Sequence, residues 1–143
     1  MSYLDFIIRL LCALAAGLII GFERGWHHKA AGLRTNTLVV VGSALYVMLS
    51  IKITQNEGDV TRIIAQVVTG IGFLGAGIIF KEGLNIKGLT TAATVWCGSA
   101  IGCLIAAGYY LEALAGTLII FLINYALLPV DKQLENRNKE DKT

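Results

Sequence analysis

Residues 70–77 read Gly70-Ile71-Gly72-Phe73-Leu74-Gly75-Ala76-Gly77. The first six satisfy G-x-G-x-x-G, the dinucleotide-binding fingerprint. In that fold the glycines join a strand to a helix, and an acidic residue about 20 positions later holds the ribose. Here they fall in the middle of an apolar run, and the region around Val95 has no carboxylate. A membrane reading fits better. Gly72 and Gly75 are three apart, Gly72 and Ala76 four, and Gly70 and Gly77 seven. Small residues at such spacings let helix backbones approach closely where no hydrophobic effect drives helices together. The glycines are expected to be packing surface on a transmembrane helix.

The composition around them agrees. Of 143 residues, 55% are apolar and 15% charged, against about 25% charged in an ordinary soluble domain. A small soluble domain buries only roughly two-thirds of the surface its chain exposes, so this much apolar surface calls for a bilayer. The net charge of +2 forms no basic stripe interleaved with aromatics, which argues against nucleic acid. Cys12, Cys97 and Cys103 are odd in number and lie inside apolar runs, which argues against a disulfide framework or a zinc site. The N-terminus lacks a basic leader and a cleavage site and reads as a retained first helix.

Five apolar stretches, near 4–22, 36–53, 63–80, 89–108 and 111–128, are each long enough to cross a hydrocarbon core, which takes ~20 helical residues. The expected architecture is an all-α, five-helix transmembrane domain over 1–129. Pro129 closes its last helix, and a charged tail follows over 130–143. Helices are the spanning form because every backbone polar group must be satisfied within the membrane. Arg24, Lys29, Arg34, Lys81, Lys87, Lys132, Arg137, Lys139 and Lys142 fall on one side. Arg9, Lys52 and Arg62 fall on the other. Nine against three predicts an outside N-terminus and a cytoplasmic C-terminus.

Polar residues on the spans mark faces. Arg62, Gln66 and Thr69 share one stripe of the third helix, one turn after Asp59. Thr90, Thr94 and Cys97 share a stripe of the fourth, beside Thr91, Gly98 and Gly102, and the fifth carries Asn124. Such residues either hydrogen-bond between helices or line a polar cavity or conduction path. Asp5 and Arg9, at i and i+4, read as an anchoring ion pair. The first cytoplasmic segment opens at Glu23 and closes at Arg34. Between them, the adjacent His27 and His28 with Trp26 read as interface residues rather than metal ligands. Glu23 and Glu82 lie on the same side. They either contribute oxygens to a magnesium site or pair with Arg24, Lys29, Arg34 or Lys81, and ion pairing is the favoured reading. No Ser/His/Asp order, HExxH, CxxC or P-loop lysine occurs, so no enzyme is expected.

Three stretches then carry a resemblance: GFER followed by AGLRTNTLVVVGSALY, DVTRIIAQVVTGIGFLGAGIIF, and GLTTAATVWCGSAIG. In this order and spacing they resemble the MgtC/SapB family of bacterial inner-membrane proteins, from about Gly21 to Gly102. The chain ends about fourteen residues past Pro129. It therefore resembles the short, SapB-like branch rather than the branch with a soluble domain after the fifth helix. The resemblance implies a multi-pass protein of the cytoplasmic membrane, linked to growth at low magnesium. The motif positions it carries over are Glu23, Arg34, Thr35, Asp59, Arg62, Gln66, Glu82, Thr90, Thr91 and Cys97. Two functions follow as expectations. One is a regulator that binds other membrane machinery, or itself as a homo-oligomer such as a dimer, through the small-residue faces. The other is a transporter or channel for magnesium or another cation, with an outer mouth near Asp59 and Glu112 and an inner one near Glu23 and Glu82.

Overall fold

The structure is a computed structural model and describes residues 1–54, 59–82, 85–130 and 133. Five helices form it: α1 (Tyr3–Trp26), α2 (Leu33–Thr54), α3 (Thr61–Ile78), α4 (Leu89–Ala107) and α5 (Tyr110–Ala126). A two-stranded antiparallel hairpin, β1 (Phe80–Glu82) and β2 (Asn85–Lys87), lies between α3 and α4. All five helices are long and apolar enough to cross a membrane, which makes this a multi-pass membrane protein. Apart from residues 130 and 133, the charged tail lies outside the described residues.

α4 is the hub. It packs against each of the other four helices, most extensively against α2, while α1 lies along α2 and touches α5. α3 rests on α4 and only lightly on α2. The core between them is built from small and β-branched residues, including Ala13, Ile20, Val40, Ala44, Val47, Val95, Ile105 and Ala106. Arg9 fastens one end of the bundle. Its Nε lies 3.0 Å from Asp5 Oδ1, and Nη1 donates to the Ala106 carbonyl at the C-terminus of α4, where orphan carbonyls and the helix dipole favour a cation.

The helices depart from the expected bounds in three places. α1 runs four residues beyond position 22 to Trp26, so Glu23 and Arg24 are helical rather than loop residues. α2 starts at Leu33, and Arg34 and Thr35 sit in its first turn. α3 stops at Ile78 because Ile79 turns extended (φ −83°, ψ 124°), and the chain between the third and fourth apolar stretches forms the hairpin. Gly88 joins the hairpin to α4 at φ +90°, and a Cβ there would stand 2.3 Å from the Ile78 carbonyl oxygen. Only glycine fits that corner.

The close helix contacts use Gly75, Gly98 and Gly102 of the expected packing residues, and two glycines of α1 besides. Gly17 and Gly21 of α1 bring Thr37 and Leu33 of α2 so near that an added Cβ would meet their backbone at 2.7 and 2.8 Å. Gly102 of α4 meets the Val40 carbonyl, and Gly98 the Val40 side chain. In the glycine run of α3, Gly75 alone packs within the described chain, against Ala92. Gly70, Gly72 and Gly77 have no described atom of a neighbouring element within 4 Å of an added Cβ, and Ala76 is exposed.

Candidate functional site

At the end of the bundle opposite Arg9, the extra turn of α1 drives two charged side chains into the interior. Glu23 is 3% exposed and Arg24 2%. The stripe that carries Arg24 is the one that buries Ala13, Gly17 and Ile20, so the helix period alone turns the guanidinium towards α4. Arg24 Nη2 donates to Thr91 Oγ1 at 2.7 Å, while Nε meets no acceptor among the described residues. One turn further along α4, Thr94 Oγ1 lies 2.8 Å from the Thr90 carbonyl and 3.3 Å from Asn124 Oδ1 of α5. Asn124 Nδ2 is buried without a described partner.

Glu23 faces the other way, towards α5. His27 Nδ1 hydrogen-bonds the Glu23 carbonyl at 3.0 Å and lies 3.0 Å from Glu23 Oε1, which has no hydrogen-bond partner among the described residues. Oε2 is buried and meets no donor among the described residues. The carboxylate borders a cavity of about 260 Å³ lined by Phe22, Trp26, His27, Phe121 and Tyr125. Buried polar atoms that lack partners cost free energy, and here they gather at one end of the protein.

The remaining candidates are dispersed. Thr35 and Gln66 both line a groove of about 490 Å³ between α2 and α3, with Ser43, Tyr46, Gly70 and Leu74. Arg34 is exposed. Asp59 caps the start of α3, accepting from the Thr61 amide at 3.0 Å and from its hydroxyl. Arg62 stands 3.8 Å away. The Thr61 hydrogen bonds hold the Asp59 carboxyl below its ordinary pKa. Glu82 on the exposed hairpin pairs with Lys87, whose hydrogen bond and charge lower its pKa in the same way. Thr90 is exposed and Cys97 half-buried and free.

The two carboxylates considered for magnesium thus stand in different settings. Glu23 is enclosed by aromatic side chains beside His27, and Glu82 is engaged by Lys87. Among the described residues, no three His, Cys, Asp or Glu side chains converge as metal ligands would.

Arg24 and Asn36 escape the sequence patterning as site residues, whereas Asn124 is named there as a polar residue of the fifth span, and it meets Thr94 of α4. Arg24 counts as a loop charge when the first span is ended at position 22, and extending the buried stripe of α1 by one turn finds it. Asn36 Nδ2 donates to the Ala31 and Gly32 carbonyls at 2.8 and 2.9 Å, fixing the turn that returns the chain from α1 to α2.

Comparison with known proteins places this geometry. A family model described as the MgtC family matches residues 10–133. An uncharacterised protein of Synechocystis is 47% identical over 91% of this chain and 55% of its own length. Protein MgtC of Brucella abortus is 51% identical over 86% of the chain and 51% of its own length. Protein MgtC of Salmonella paratyphi A is 43% identical, covering 100% of the chain and 68% of its own length. The chain thus spans about half the length of the first two relatives. No solved structure matches it. With the match running from the middle of α1 past the end of α5, this chain belongs to the MgtC family.

Proposed function

We propose that this is a non-enzymatic protein of the bacterial cytoplasmic membrane, with its N-terminus outside and its C-terminus in the cytoplasm. It serves magnesium homeostasis or low-magnesium adaptation by binding other membrane machinery, or further copies of itself. The observation that carries this reading is the open face of α3. Gly70, Gly72, Ala76 and Gly77 are exposed in the described chain, on a span that also exposes Gln66 and Thr69. Small residues there let a partner helix come close, and the polar ones offer it hydrogen bonds. Family membership supports the link to magnesium. The distribution of Lys and Arg supports the orientation.

A second reading, a transporter or channel for magnesium or another cation, draws on Thr35, Ser43 and Gln66 lining one groove. Magnesium flux into proteoliposomes containing only this protein separates the two. The regulator reading expects no flux above empty liposomes from folded protein. It also expects loss of growth support at low magnesium in Gly72→Leu. Flux by the wild type would overturn it in favour of transport.

A further inference from the structure

The cavity beside Glu23 has a chemistry that neither magnesium nor a packing role accounts for. Its floor is a carboxylate that is 3% exposed, with Oε2 unpartnered among the described residues and Oε1 approached only by His27. Its walls are two aromatic pairs, each spaced i, i+4 on its helix. Phe22 and Trp26 of α1 have ring centroids 6.0 Å apart, and Phe121 and Tyr125 of α5 are stacked at 6.1 Å. Arg24, the nearest permanent cation in sequence, directs Nη2 to Thr91 on α4. A buried anion ringed by aromatic faces suits an organic cation. Ring quadrupoles attract the positive charge, and the carboxylate accepts its N–H groups. Glu23 is the one carboxylate among the residues that line the cavity, and the rest of its lining is aromatic apart from His27.

We propose that this cavity binds a primary alkylammonium group, with Glu23 accepting its hydrogen bonds and Trp26, Phe22, Phe121 and Tyr125 enclosing its charge and adjoining methylenes. The group's three N–H donors satisfy the carboxylate that the described residues leave short. Its volume of about 260 Å³ holds a headgroup-sized amine. Trp26 and Tyr125 are exposed at the ends of two spans, so the cavity opens at the level where lipid headgroups meet water. The ammonium arrives either on a lipid of the phosphatidylethanolamine type or as a water-soluble amine.

Trp26 and Trp96 are the chain's two tryptophans, so in Trp96→Phe protein Trp26 reports on the cavity alone. In nanodiscs of phosphatidylglycerol, ethylammonium chloride will change Trp26 emission saturably against sodium chloride at matched ionic strength. Glu23→Gln will weaken the response by about ten-fold or more, and Tyr125→Leu by about three-fold or more. Tyr125 is 61% exposed, so that variant keeps its fold and carries the test if Glu23→Gln does not. With phosphatidylethanolamine in the nanodiscs, a raised ethylammonium midpoint identifies the lipid headgroup as the occupant. An unchanged midpoint assigns the site to a soluble amine. A non-saturating response in the wild-type cavity, or one kept intact in the folded variants, overturns the proposal.

Discussion

Arg24 Nη2 and Thr91 Oγ1 meet at 2.7 Å across the α1–α4 interface, 67 positions apart in sequence. Both residues are almost wholly buried, so the hydroxyl cannot be replaced by water from outside. Thr91→Val keeps the shape and strands the guanidinium, and will cost about 1–3 kcal/mol. Arg24→Met also leaves Glu23 beside an uncharged neighbour, and will cost about 3–5 kcal/mol. Reversible unfolding in mixed micelles reads both, and equal stability of Thr91→Val and wild type would show that the contact contributes nothing.

The glycines of α1 and α3 will behave oppositely. Gly21→Ala places a methyl 2.8 Å from the Leu33 backbone, and overpacking of that kind costs about 1–3 kcal/mol. Gly72→Ala meets nothing in the described chain. It gains helix propensity, so stability will be unchanged or higher by up to about 1 kcal/mol. If Gly72→Leu is as stable as wild type yet loses function at low magnesium, the face of α3 is used by a partner. A stability loss at Gly72 equal to that at Gly21 would contradict the packing described.

Asn36 ties the turn after α1 through two carbonyls. Removing its amide in Asn36→Ala will cost about 1–2 kcal/mol for the lost hydrogen bonds. Hydrogen exchange will quicken at residues 29–33 before it quickens within α4. Unchanged exchange in that turn would mean that the chain reversal is held by backbone bonds alone.

The hairpin carries a pH signature. Glu82 titrates below the ordinary glutamate value because Lys87 bonds and charges its surroundings. The depressed value makes the pairing fully present above the ordinary glutamate range, and it is lost as pH falls through the lowered one. A carbon-13 titration of the Glu82 carboxyl will give a midpoint below that of an unpaired glutamate, and Lys87→Gln will raise it. A midpoint indifferent to Lys87 would dissolve the pair.

The five spans were legible because length and hydropathy alone demand them, and the expected centres match the observed helices. The α1 boundary was not. Glu23 and Arg24 read as loop because charges ordinarily end a span, whereas here the helix period keeps Arg24 on the stripe of Ile20 and Gly17. The hairpin escaped because three-residue strands such as Phe80-Lys81-Glu82 have too short a period to register. Glycine spacing drew attention to the run at 70–77. The four-residue spacing of Gly17, Gly21 and Gly25 is the pattern that marks close backbone approach, and the observed α1–α2 contact uses all three, the first two most tightly. Spacing identifies a surface fit for packing without saying whether the same chain supplies the other side.

α3 leans on α4 and leaves its glycine face outside the fold. On the proposed reading, a membrane partner that settles there has no packing of the described chain to undo. Recognition at this face would then pay no opening step, and its speed would be set by lateral diffusion and by how often the two surfaces meet in register within the bilayer plane.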